Sequence, residues 1–204
     1  RLVRDGRGRV GVGAHGAGEM ILKPNIHENT NKAEIEMGIK RMKEMLEKSK
    51  KDFKERIMDG ITQLEGAFSM TLLVEGGIIA VRDKRGFRPL SLGKLDGAYV
   101  IASETCAFDL IHAEFIRDIE PGEVLFITEK GIKSVFISEK SSKSSFCIFE
   151  YIYFSRPDSN IYGTNVHLTR KRLGTELAKE APAKADLVIA IPDSGSSAAV
   201  GYSE

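Results

Sequence analysis

Between residues 67 and 137, short apolar runs follow one another almost without a break: "AFSMTLLVEG", "GIIAVRDK", "AYVIASET" and "VLFITEKGIKSVFI". They are rich in β-branched and aromatic residues, which suit a pleated, half-buried surface. Gly76-Gly77 and Asp96-Gly97 are hairpin-turn pairs, and Pro121-Gly122 marks a further turn. Connections this short predict an antiparallel meander over 67–137. Ahead of it, apolar residues fall at 35, 39, 42 and 46, then at 53, 57, 61 and 64. Those steps of three and four place them on one helical face, with Lys and Glu on the solvated side. Asp52 is positioned to cap the second helix and Gly66 to end it. Helices packed on a meander give a layered α+β pattern.

The pattern changes after "SEKSSKSS", residues 138–145, which reads as a linker. An apolar segment, "CIFEYIYF", leads to Ser155-Arg156-Pro157. "VHLTRKRLGTELAKEA" then fits a helix, with Val166, Leu173 and Leu177 on one face. "LVIAI", residues 187–191, lacks alternation, so it predicts a strand covered on both faces, as in the parallel sheet of an α/β domain. Such a strand needs neighbours, and none follows Ile191. The expectation is a second domain that is cut off.

Composition narrows the function classes little. The 204 residues allow one or two domains. Thirty basic and 29 acidic residues give a net charge of +1, which argues neither for nor against a nucleic-acid or membrane partner. No apolar run approaches the ~18 residues of a membrane helix. "RLVRDGRGRV" has no apolar core of the signal-peptide kind. Two cysteines, Cys106 and Cys147, are too few for a disulfide framework and point to a reduced compartment. The first residue is Arg1, which suggests a start inside a longer gene.

Several motifs invite a functional reading. Gly6, Gly8 and Gly11, then Gly11, Gly13 and Gly16, spell G-x-G-x-x-G, but without the flanking strand and helix that a dinucleotide site needs. Cys106, in "ASETCAFDL", reads as a structural cysteine opening a short helix. His15, His27, His112 and His167 have no metal-ligand spacing. "AVRDKRGFRPLSLG" crowds Arg82, Asp83, Arg85 and Arg88 around a turn, which is either a salt-bridged corner or an anion site.

"IPDSGSS", residues 191–197, resembles the Asp-Ser/Thr-Gly loop of aspartic proteases, whose two copies share one proton. This chain has one copy, so a homodimer would be required. A phosphate site is the other active reading. Ligands of open parallel sheets sit beyond the carboxyl ends of strands. A small-residue loop there brings backbone N–H groups close to an anion, and "SGSSAAVGY" then starts a helix with its positive end facing the same charge. A plain strand-to-helix turn capped by Asp193 or Ser194 remains equally open.

The segments "EGAFSMTLL", "AVRDKRGFRPLSLGKL", "AYVIASETCAFD", "AEFIRDIEPGE", "CIFEYIYFSRPDS" and "ADLVIAIPDSGSSAAVGY" together resemble the amidophosphoribosyltransferases, in the family's order over about residues 60–204. The resemblance implies two half-reactions. An N-terminal-nucleophile glutaminase domain, an αββα sandwich, releases ammonia from glutamine. A phosphoribosyltransferase domain joins it to phosphoribosyl pyrophosphate, giving 5-phosphoribosylamine and pyrophosphate, the first step of purine synthesis. Residues 1–140 would be a partial glutamine amidotransferase domain, with 1–34 poorly matched. Residues 141–204 would begin the transferase domain.

The resemblance makes Asp193 and Ser194 substrate-binding, Ser194 a magnesium-binding serine, and Cys147 the first ligand of the iron–sulfur cluster carried by one branch of the family. It implies magnesium as cofactor, small-molecule substrates with no nucleic acid and no membrane, a cytoplasmic location, and a homo-oligomer in the complete enzyme. It also exposes departures. The family's nucleophile is a mature N-terminal cysteine, and here no catalytic residue is assigned: Arg1 is first, and neither internal cysteine carries a free α-amine. The family's His-Asn-Gly-Asn oxyanion segment corresponds to "AHGAGEM", where Gly16 and Ala17 supply no side-chain amide. "NKAEIE" is a poor match to the glutamine-binding Ser-Asp-Thr-Glu. The expectation is an inactive piece of the enzyme, with a non-catalytic anion-binding remnant as alternative and a protease behind it.

Overall fold

The computed structural model describes residues 3–4, 10–11, 21–24, 37, 40, 44, 52–137 and 144–204. The glycine motif apart from Gly11, the segments "AHGAGEM" and "NKAEIE", and most of the linker fall outside them. Met37, Lys40 and Glu44 are helical and exposed, off the apolar face expected for that helix.

In chain order the elements are β1 (Val3–Arg4), β2 (Val10–Gly11), β3 (Ile21–Pro24), α1 (Phe53–Thr62), β4 (Ser69–Val74), β5 (Gly77–Arg82), β6 (Ser91–Leu95), β7 (Ala98–Ala102), α2 (Cys106–Ile111), β8 (Glu114–Asp118), β9 (Glu123–Thr128), β10 (Gly131–Phe136), a π-helical turn (Glu150–Phe154), β11 (Asn160–Ile161), β12 (Thr164–Asn165), α3 (Val166–Glu180) and α4 (Gly195–Ser203). They divide into two compact units: Arg1–Arg88 with Ile119–Ser145, and Pro89–Asp118 with Phe146–Glu204.

In the first unit an antiparallel sheet runs in the order β10-β9-β5-β4-β3. Its register sets Leu72 opposite Ile79, and Ile79 opposite Phe126 and Val81 opposite Val124. One pleat face is therefore apolar. Helix α1 lays Ile57 and Ile61 on that face, both fully buried. Each such side chain contributes about 1.5–3 kcal/mol through burial. As the sequence requires, the Asp52 carboxylate caps α1 by accepting from the Lys54 N–H at 3.3 Å. Ala80 and Leu125, on the opposite pleat face, are buried as well.

The single meander expected over 67–137 is not what forms. Strand β5 pairs with β9, and the chain between them makes a separate three-stranded sheet, β7-β6-β8, in the second unit. Turn residues specify where a strand ends, but not which earlier strand the next one joins. The Asp96-Gly97 hairpin is as read: β6 and β7 are joined by Asp96 (φ 48°) and Gly97 (φ 84°), a pair of positive-φ residues whose twist suits a two-residue turn. The β4–β5 turn is shifted by one residue, to Glu75 and Gly76, because Gly77 pairs with Val74.

The second unit buries Phe108 of α2 against Gly93 of β6, and Leu92, on the other pleat face of β6, is buried as well. Its other half is assembled by polar contacts. Arg170 on α3, 3% exposed, donates from Nε to the Tyr151 carbonyl and from Nη2 to the Ser155 carbonyl at 2.8 Å. The Tyr151 hydroxyl donates to the Ile161 carbonyl at 2.6 Å, and Ser155 Oγ donates to the Glu150 carboxylate at 2.6 Å.

The strand expected at 187–191 is also corrected. "LVIAI" forms no strand and joins no ladder among the described residues, with Ile189 80% and Ile191 86% exposed. A strand is defined by a ladder partner for its backbone groups, and periodicity in the segment itself supplies none.

Candidate functional site

The loop that follows, Pro192-Asp193-Ser194, is exposed at Asp193 and half-buried at Ser194. The Pro192–Asp193 peptide bond is cis. Helix α4 begins immediately after it, with Ser194 as N-cap and no side-chain capping bond. An Asp-Ser-Gly loop that opens a helix is unlike the sheet-borne loop of the protease reading. Of the first-turn N–H groups, that of Ser196 turns back to the Asp193 carbonyl at 3.2 Å.

What holds this loop is α3. His167 Nδ1 lies 2.9 Å from Ser197 Oγ. Thr175 Oγ1 donates to the Gly201 carbonyl at 3.1 Å, and Lys171 pairs with the Glu204 carboxylate at 2.6 Å. His167 and Ser197 both lie in first turns, so the starts of α3 and α4 meet there, and the helices cross further along, where Lys171 meets Gly201 and Gly174 meets Ala198. Their positive N-termini lie at the same end, beside the loop. The approach is close because Gly174 and Gly201 lack side chains: a Cβ at Gly174 would collide with the Ala198 carbonyl, and one at Gly201 with the Lys171 carbonyl. α3 is itself capped by Asn165, whose side chain accepts from the Leu168 N–H at 3.0 Å.

A second cluster joins two stretches far apart in sequence. Glu104 Oε2 accepts from the Arg156 N–H and from Ser159 Oγ, both at 2.8 Å, and Cys106 Sγ lies 3.9 Å from it. Thr105 Oγ1 accepts from the Asn160 N–H at 2.8 Å. The "SET" turn thereby anchors the "SRPDS" loop. Burial pushes the Cys106 thiol above its ordinary value, so it is a packed structural cysteine and a poor nucleophile. Outside the cluster, hydrogen bonding to Arg156 holds the Asp158 carboxyl below its ordinary value.

The Arg-Asp corner resolves as architecture. Arg82, 2% exposed, donates to the carbonyls of Arg88 (2.8 Å), Ile119 (2.6 Å) and Gly86 (2.9 Å). Asp83 accepts from the N–H groups of Arg85 (2.9 Å) and Phe87 (3.0 Å). Both are committed to holding the turn, not to an anion. His112 sits in a left-handed C-cap (φ 57°), and His15 and His27 fall outside the described residues.

Two implied cofactors can be tested against these residues. An iron–sulfur cubane needs four thiolates. The chain has two cysteines, of which Cys106 is buried against Glu104 and Cys147 is half-buried. Among the described residues no group of three or more metal-ligating side chains exists. The cluster does not fit this chain. Magnesium does: it keeps waters and binds through one or two oxygen ligands plus substrate phosphates, and the Asp193 carboxylate and the Ser194 hydroxyl, which makes no capping bond, are donors of that kind.

No protein-family model matches the chain. Known proteins do. The amidophosphoribosyltransferase of Bacillus subtilis (strain 168) is 49% identical over 151 residues, which is 74% of this chain and 32% of that protein. The chain belongs to the amidophosphoribosyltransferase family. The same kind of match reaches the amidophosphoribosyltransferase of Archaeoglobus fulgidus, 48% identical over 69% of this chain and 31% of that protein. It reaches the chloroplastic amidophosphoribosyltransferase of Glycine max too, 48% identical over 72% of this chain and 26% of that one. The chain spans between about a quarter and a third of the length of these relatives. The solved glutamine phosphoribosylpyrophosphate amidotransferase of B. subtilis, complexed with ADP and GMP, superposes on 100% of this chain and 45% of its own, with a TM-score of 0.80 at 36% identity. The structure described as the allosteric regulatory enzyme of purine biosynthesis superposes equally fully, with a TM-score of 0.79. The mixed helix-and-sheet class is thus common to this chain and amidophosphoribosyltransferases.

Sequence reasoning found the loop but missed the residues that hold it. His167 and Ser197 are 30 positions apart, and no motif spacing joins them. The Glu104 cluster was equally invisible, because its members are ordinary polar residues in separate segments.

Proposed function

We propose that this chain carries part of an amidophosphoribosyltransferase, with residues 1–140 derived from the glutamine-hydrolysing half and 141–204 from the start of the phosphoribosyl-transferring half. The observation that carries the reading is the 49% identity sustained over 74% of the chain. The buried Ala80 and Leu125, opposite the α1 face of the sheet, support the αββα sandwich, which requires a sheet enclosed on both sides. A cytoplasmic location and self-association of the complete enzyme belong to the same reading; among the described residues, no helix is long and apolar enough to cross a membrane.

In the transfer step the ammonia nitrogen bonds to C1 of the ribose, and the bond from C1 to pyrophosphate breaks. The electron pair leaves on the pyrophosphate oxygen, and the extra proton on nitrogen passes to solvent. Negative charge therefore grows on the leaving group. The first turn of α4, with the N-terminus of α3 beside it, presents positive partial charge to that group, and the Ser194 hydroxyl donates to a phosphate oxygen. Magnesium, when bound, neutralises phosphate charge, with Asp193 and Ser194 as protein donors. No described thiol suits glutamine hydrolysis, which favours an anion-binding rather than a hydrolytic role for this stretch on its own.

Titration calorimetry with magnesium and phosphoribosyl pyrophosphate tests the reading. Binding that is lost in Ser194→Ala supports it. Absence of binding heat removes it, and glutamine hydrolysis by the chain alone would overturn the anion-binding restriction.

A further inference from the structure

We infer that His167 is a positioning residue for the pyrophosphate loop, acting through Ser197. The inference rests on the assignment of that loop as a pyrophosphate site. Ser197 is 6% exposed, lies in the first turn of α4, and has its hydroxyl 2.9 Å from His167 Nδ1 on the first turn of α3. Its side chain points to the neighbouring helix, so it contributes to the loop by fixing α4 in place.

The contact orients the first turn of α4. The crossing at Gly174–Ala198 and Gly201–Lys171, where no Cβ fits, fixes the approach and the facing sides of the two helices further along. The directional hydrogen bond between first-turn side chains fixes the end of α4 that adjoins the loop, so the direction in which the Gly195 amide points depends on the His167–Ser197 bond. The main-chain end of His167 is also fixed, because its N–H donates to the Pro157 carbonyl at 2.9 Å. The bond therefore ties α4 to the "SRPDS" loop, which Glu104 and Thr105 hold from the other side. Either ring tautomer serves: the hydroxyl donates to Nδ1 in one, and Nδ1–H donates to the hydroxyl in the other.

The test is calorimetry of the 204-residue chain with magnesium pyrophosphate, alongside thermal melts of each variant. His167→Ala and Ser197→Ala are each expected to raise Kd about tenfold, close to the loss of one directional hydrogen bond. The double variant is expected to bind no worse than either single one, because the two residues act as a unit. His167→Asn, whose amide occupies the position of Nδ1, restores binding to within about twofold of wild type. Unchanged affinity in both alanine variants overturns the inference while leaving the loop assignment standing. Losses that follow Tm alone and are not rescued by Asn also overturn it, by making the role merely structural. If the unaltered chain does not bind, the loop assignment falls and this inference with it.

Discussion

Gly174 of α3 faces the Ala198 carbonyl of α4 so closely that no Cβ can be placed between them. Replacing it with Ala is expected to destabilise the second unit by about 2 kcal/mol, the overpacking cost exceeding the helix-propensity gain of about 1 kcal/mol. Gly201→Ala is expected to act similarly at the Lys171 carbonyl. The double variant should cost less than the sum of the two single costs, because parting the helices once relieves both. Urea denaturation of both single variants and the double variant reads this directly; a stabilised Gly174→Ala would refute the close approach.

Arg82→Lys keeps the charge and loses the fork. A lysine ammonium cannot reach the carbonyls of Arg88, Ile119 and Gly86 together, so buried acceptors lose their donor. A loss of about 3 kcal/mol is expected, visible as a lower urea midpoint. A midpoint equal to that of the unaltered chain would show that the corner is wet.

The two thiols differ in reactivity. At mildly alkaline pH, iodoacetamide is expected to modify half-buried Cys147 first and to reach Cys106 only on unfolding. Because burial raises the Cys106 value above 9.0, its contribution to stability is fully present below the ordinary thiol value and is lost as pH rises through the raised one. Burial raises Tyr151 above 10.0 in the same sense. Cys106→Ala should flatten the alkaline fall in urea midpoint that begins near pH 9. An unchanged slope would assign that fall to other groups.

Substitution in "LVIAI" should be cheap. Ile189→Ser, at a position 80% exposed, is expected to change stability by no more than about 0.5 kcal/mol. Leu92→Ala, at a position 2% exposed, is expected to cost about 2–5 kcal/mol. Equal costs at the two sites would mean that the segment is packed in solution.

These contrasts mark what local sequence conveys. Asp52, the Ile57–Ile61 face and the Asp96-Gly97 turn were legible because each is decided within a few residues by capping, periodicity or φ preference. The pairing of β5 with β9 was not, since a hairpin turn is silent about partners 40 residues away. "LVIAI" carried the composition of a covered strand, but cover comes from other segments. At the site, Pro192-Asp193-Ser194 was legible from small residues before a helix start. Its support was hidden, because His167 reads as one more residue of a polar helix until α4 is laid beside it.

The route of the backbone has a practical consequence. The chain passes between its two compact units at 88–89, 118–119 and 145–146. A protease that nicks one of these connections leaves the halves covalently tethered through the other two. No single boundary would release either half whole, so an excised 1–145 would carry β6, β7, β8 and α2 away from Arg156, Ser159 and Asn160, to which Glu104 and Thr105 are bonded.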